Sequence, residues 1–144
     1  MDLGRARALI IAVGCLAAGT GCASDGYLVV VRLSEEVPRA DVYRIEVAIV
    51  SSCERQTASD VAGVVTRVDV TADGTVGELG AVAHGSYGLY ARGISRACRI
   101  IAYGCVPIEL EAGGEGALEV TMGPVSSPLC GGSETCTDSV CSPL

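Results

Sequence analysis

Phenylalanine, tryptophan, lysine and asparagine are all missing from this 144-residue chain, and histidine occurs once. With no Phe or Trp and only five Tyr, a core has to be built from Val, Ile, Leu and Ala. Two of these are β-branched, which favours strands over helices. The missing lysines exclude a catalytic lysine outright. All ten basic residues are Arg, and the trade of Lys, Asn and Phe for Arg, Ala and Gly follows the coding bias of a GC-rich genome. Positive charge is scarce as well. The net charge is −7, so the basic footprint that nucleic acid requires is not there. Acidic charge more simply keeps a domain soluble.

Long hydrophobic runs are also few, and the one at the start is short. Arg5 and Arg7 precede an apolar stretch from Ala8 to Ala18, and small residues follow through Gly21. Charged start, brief apolar run and small-residue end are the layout of a signal peptide, and the run is too short for a comfortable membrane-spanning helix. The small residues end as Gly19-Thr20-Gly21-Cys22. This resembles the lipobox of bacterial lipoproteins, although Gly19 stands where the aliphatic residue is usual. The resemblance implies cleavage before Cys22 and lipid on its thiol and new amine. Cys15, after Ala12-Val13-Gly14, is the rival position, and a plain thiol at Cys22 of an ordinary secreted protein is the bland alternative. Two or three acyl chains would make attachment effectively permanent, since stable anchoring takes more than one. Removing residues 1–21 takes away Asp2, Arg5 and Arg7, leaving 8 Arg against 16 acids, a net charge of −8.

The expected organisation is a signal peptide over 1–21, a tether over 22–26, a β-sandwich domain over 27–124 and a cysteine-rich tail over 125–144. Tyr27 to Leu33 is apolar apart from Arg32 and reads as buried. Val42 to Val50 alternates, with Tyr43, Ile45, Val47 and Ile49 on the inner face and Arg44 and Glu46 on the other. Val64 to Thr71 alternates again. Tyr87–Gly93, Cys98–Tyr103, Val106–Leu110 and Ala117–Met122 complete about seven strands. Period-2 alternation broken by turn residues predicts an all-β fold, an antiparallel β-sandwich with a disulfide-stapled tail. Asp73-Gly74 between strand-like runs is a hairpin signal, and Gly113-Gly114-Glu115-Gly116 is another turn. Glu54 to Gly63 is polar, a surface loop or one turn of helix. After Pro124 no apolar periodicity remains, so cross-links or docking must order the tail.

Cysteine is the residue the chain has in surplus, with eight. Cys15 leaves with the signal peptide and Cys22 takes lipid, so six remain: Cys53, Cys98, Cys105, Cys130, Cys136 and Cys141. An even number in an oxidising compartment reads as three disulfides. Three lie in the sandwich and three in the tail, so at least one bridge must cross between them. The expected arrangement joins Cys98 to Cys105, which needs a bend at Gly104 or a bulge, puts one bridge inside the tail, and leaves Cys53 for the remaining tail cysteine. A zinc site is the rival, but intervening spacings of six, five and four residues do not match the usual ligand pairs. His84 could serve as a general base; a solvated turn histidine is the plainer reading. Asp69, Thr71, Asp73 and Glu78 suggest calcium, but their spacing departs from the twelve-residue calcium loop. Glu109, Glu111, Glu115 and Glu119 read as a solvated sheet face, or as a surface for a basic partner. No nucleophile-elbow, His-Glu-x-x-His or phosphate-loop motif occurs, so no catalytic residue, metal or cofactor is expected.

The segment Leu79-Gly80-Ala81-Val82-Ala83-His84-Gly85-Ser86-Tyr87 resembles the Leu…Val-x-x-Gly-x-Tyr stretch of carboxypeptidase-regulatory-like and prealbumin-like β-sandwich modules, with the shared parts at Val82, Gly85 and Tyr87. The whole layout is similar to small envelope lipoproteins of myxobacteria. The resemblance implies no activity by itself; the expected function is a non-catalytic binding or structural module in the bacterial cell envelope, at the outer membrane or periplasmic face. Its partners would be the membrane, through the lipid, and an envelope protein or polysaccharide. A secreted inhibitor or ligand-binding protein that works through the cysteine-rich tail is the alternative.

Overall fold

The computed structural model describes residues 23, 24 and 26–144, and no α-helix is found among them. The strands are β1 (Ala23–Ser24), β2 (Gly26–Leu33), β3 (Arg44–Val50), β4 (Val64–Val68), β5 (Val76–Glu78), β6 (Val82–Ala83), β7 (Gly85–Ile94), β8 (Arg99–Leu110), β9 (Glu115–Pro128), β10 (Glu134–Thr137) and β11 (Val140–Pro143). A 3-10 turn at Arg39–Asp41 precedes β3. Seven strands make one sheet in the order β4-β3-β7-β8-β9-β2-β5. The expected signal peptide over 1–21 and the expected lipidation site Cys22 lie outside the described residues.

The sheet curls because β9 changes partner along its length. Its second half, Gly123–Pro128, pairs with Arg99–Tyr103 of β8, while Glu115–Met122 pairs with β2. The two ends of the sheet meet at a single bridge, Val70 to Gly77, and at a hydrogen bond from Thr71 N to Val76 O. The curl encloses the core. Ile45, Val47, Ile49, Val68, Leu89, Ala91 and Ala102 face Val29, Val31, Leu118, Val120 and Met122 across it, and all are buried.

The structure is all-β with seven strands in its main sheet, as the alternation predicts, and departs from the expectation in particular places. The β2–β9 pair is parallel, so the sheet is mixed. Antiparallel neighbours follow readily from a hairpin, whereas parallel ones need a long connection; residues 34–114 lie between β2 and β9. The run Tyr27–Leu33 is buried on one side only. Val29 and Val31 point inward while Leu28 is 41% exposed, because the outer face of β2 is uncovered. The two strands expected at Cys98–Tyr103 and Val106–Leu110 are one, β8. Gly104 in its middle is no bend: a Cβ there would collide with the Thr121 carbonyl of β9, so glycine permits close approach of two backbones. The alternation places Tyr43 inward, but it precedes β3 and is 44% exposed.

Both faces of β3 are covered, which its alternation did not announce. Ala48 and Val50 pack with Tyr90 beneath the 51–63 connection, alongside Val61, Tyr103 and Cys105. The connection is a loop. Gln56 ties it by donating from Nε2 to Ser52 O and Ala62 O and accepting from Ala62 N at Oε1. The Tyr90 hydroxyl donates to Thr57 O and Ala58 O, 3.2 and 3.1 Å away. The expected Asp73-Gly74 hairpin is present, with Gly74 at φ 74°, a conformation that glycine takes without strain. Ala23 and Ser24, expected in the tether, pair with Ala83 and Val82.

Candidate functional site

Two connections at one end of the curled sheet enclose an open groove of about 700 Å³. The first runs from β2 to β3. Val37 and Val42 are buried in the core and fix its ends, and its 3-10 turn is held by the Arg39 guanidinium, which donates to Val42 O at 2.9 Å and to Asp73 O. The second is the β7–β8 turn, Ser95 to Cys98. Ser95 N donates to Arg99 O, Cys98 N donates to Ser95 O, and Arg99 N donates to the Ser95 hydroxyl. Cys98 closes this turn at φ 53°, in the left-handed region that L residues rarely occupy.

The groove has an apolar floor of Val42, Ile101 and Pro124, with Glu36, Asp41, Arg96 and Arg99 among its polar lining. Arg96 places its guanidinium 4.4 Å above the centroid of the Tyr43 ring, a cation–π contact worth roughly 0.5–1 kcal/mol at an exposed site. Arg99 reaches the Ser126 hydroxyl at 2.6 Å. Among the described residues the ion pairs are Arg32–Glu119, Arg44–Glu46 and Arg92–Glu46. Arg96 and Arg99 are therefore two guanidinium groups without a carboxylate partner, in a chain where acids outnumber bases. An apolar floor with charged groups of both signs suits recognition of a ligand that presents both an apolar face and polar groups.

The cysteine-rich tail buttresses this groove. β10 and β11 form a hairpin whose two-residue turn, Asp138-Ser139, has positive φ at both positions, as a type I′ turn requires. Ser139 is buried, and its hydroxyl donates to Ser95 O at 2.8 Å. Leu129 N donates to Cys98 O. Disulfides join Cys98 to Cys136 and Cys130 to Cys141, and Cys53 to Cys105 within the sheet domain. The parity requirement is thus met by Cys98–Cys136. The expected Cys98–Cys105 pair is corrected: an unbroken strand separates the two by over ~20 Å when extended, so each reaches a different partner. The sulfurs of Cys98, Cys130 and Cys141 lie within 4.8 Å of one another. All three are consumed in disulfides, so none offers the thiolate that zinc needs.

The remaining sequence candidates are dispersed. His84 is exposed between β6 and β7. Of the four calcium candidates, Thr71 and Asp73 serve the hairpin: the Thr71 hydroxyl and Thr75 N both donate to the Asp73 carboxylate. Those hydrogen bonds, Thr71 foremost, hold Asp73 down to about 2. Glu109 accepts from the Ser86 hydroxyl, and Glu119 pairs with Arg32 at 2.8 Å, while Glu111 and Glu115 flank the turn before β9. The sequence missed Tyr43, Arg96 and Arg99. Their only signal was an arginine on each side of a hairpin cysteine, and the partner Tyr43 lies more than fifty residues earlier in the chain.

No family model, no curated protein and no solved structure matches this chain.

Proposed function

We propose that this protein is a cell-envelope lipoprotein, held to a membrane by lipid on Cys22, and that it acts as a non-catalytic binding module. Its partner, an envelope protein or polysaccharide, enters the groove between the 36–43 connection and the Ser95–Cys98 turn. The observation that carries the anchor is the cysteine balance. All six described cysteines are bonded to one another, so Cys22 has no disulfide partner among them, and its place after a signal-peptide pattern gives it another use.

Binding is favoured over catalysis by what is perturbed. Among the described residues, Asp73 is lowered to about 2 by hydrogen bonds, and Tyr90 is raised to about 12 by burial, as Tyr103 is raised in the same direction. These shifts move away from neutral pH, whereas acid–base catalysts are tuned toward it. The role of the tail follows from Ser139. The tip of the β10–β11 hairpin is packed against the domain, which suits a buttress better than a projecting inhibitory loop.

The test has two parts. Cys22→Ser should leave uncleaved precursor or release soluble protein, and a mature Cys22→Ser protein still partitioning into detergent defeats the anchor. For the groove, the double variant Arg96→Glu, Arg99→Glu should keep its melting temperature and lose capture of the envelope component held by the unaltered protein. Undiminished capture places the binding surface elsewhere.

A further inference from the structure

We infer that the domain stands on the membrane in one orientation, with the turn Glu111–Gly114 toward the bilayer and the Arg96–Tyr43 groove at the far pole. This rests on the lipid anchor proposed above and extends it to the geometry of presentation. Cys22 is the residue before Ala23, and Ala23 is already paired with Ala83 of β6. Gly26 then starts β2, opposite Glu115. From Cys22 to Gly26 the chain can reach no more than ~14 Å even when extended. The anchor is therefore confined to the pole where β2 begins.

Strand polarity fixes what else lies at that pole. β9 runs parallel to β2, so its start at Glu115 and the preceding turn are there. Tyr27, the second residue of β2, accepts a hydrogen bond from Glu111 N at its hydroxyl, 3.2 Å away. β8 ends and β7 begins at the same level, where Leu110 pairs with Gly85. The opposite ends of the same strands build the groove: Leu33 pairs with Met122, Arg44 pairs with Ile94, and the Ser95–Cys98 turn follows. Eight residues of β2, at ~3.3 Å each, set the poles roughly 25 Å apart. A tether of this length cannot carry the groove round to the lipid, so the partner approaches from the side away from the membrane.

The absence of tryptophan makes the test direct. Ala112→Trp and Ala97→Trp put a single fluorophore at exposed positions of either pole. Each variant is placed on vesicles containing nitroxide-headgroup phospholipid, in two forms: as isolated from its own membrane, and as residues 22–144 coupled through the Cys22 thiol to a maleimide phospholipid. The coupling is selective because the other six cysteines of that segment are bonded. Several-fold stronger quenching of Ala112→Trp than of Ala97→Trp is expected in both forms. Equal or reversed quenching in the coupled form overturns the orientation. A natural protein whose mass shows no acyl chains overturns the anchor instead, and the coupled form still decides the geometry.

Discussion

Tyr90 shows how one polar atom orders a loop. Its ring is buried under the 51–63 connection while its hydroxyl donates to Thr57 O and Ala58 O. Tyr90→Phe keeps the ring and removes the donor, so it should cost about 1 kcal/mol, a typical net hydrogen bond, read as a lowered denaturant midpoint. Burial raises the same phenol to about 12, from an ordinary 10.0. A raised folded value means its contribution is whole below pH 10 and is lost as pH rises toward 12. Near-ultraviolet titration should show Tyr90 ionising late, along with unfolding; early, reversible ionisation of all five tyrosines contradicts the burial. Asp73 has the opposite sign. Lowered from 3.8 to about 2, it stabilises the 71–76 turn above the ordinary carboxylate range, and that support fades as pH falls through about 2. Carboxyl NMR should give a midpoint near 2, rising toward the ordinary value in Thr71→Val.

At the scale of elements, β3 is the strand to break. It is central to its part of the sheet, between β4 and β7, and apolar residues on both its faces are buried. Val47 pairs with Ala91 and Val68 across its neighbours and is 3% exposed. An aspartate there has no partner, and an unpaired buried polar group costs several kcal/mol, against about 5–15 kcal/mol for a whole domain. Val47→Asp should fail to melt cooperatively; a soluble protein with a sharp transition contradicts this core. The inward set Ile45, Val47, Ile49 was legible from alternation alone. The second buried set was not, because the loop that covers it is polar and its order comes from Gln56, Tyr90 and a disulfide far along the chain.

The disulfides act on the whole molecule. Closing 52 residues between Cys53 and Cys105 is worth roughly 4 kcal/mol in the chain-entropy account, and closing 11 between Cys130 and Cys141 roughly 3 kcal/mol. Double Cys→Ala replacement should therefore destabilise more at the first pair than at the second, by equilibrium denaturation. A non-reducing peptide map should recover Cys98 with Cys136; a Cys98–Cys105 peptide contradicts the fold. By itself the sequence determined what is local or countable. Period-2 alternation gave the strands, Asp-Gly the hairpin, and the parity of three and three the covalent tie to the tail. Only the tertiary structure decided what depends on residues distant in the chain. β2 lies parallel to β9 because the chain passes through most of the sheet before β9 returns beside β2. Cys98 meets Cys136 because β8 runs straight past Gly104. Arg96 finds Tyr43 because two connections close over the same end of the sheet. None of these has a spacing to read, since each is set by how the apolar faces bury one another.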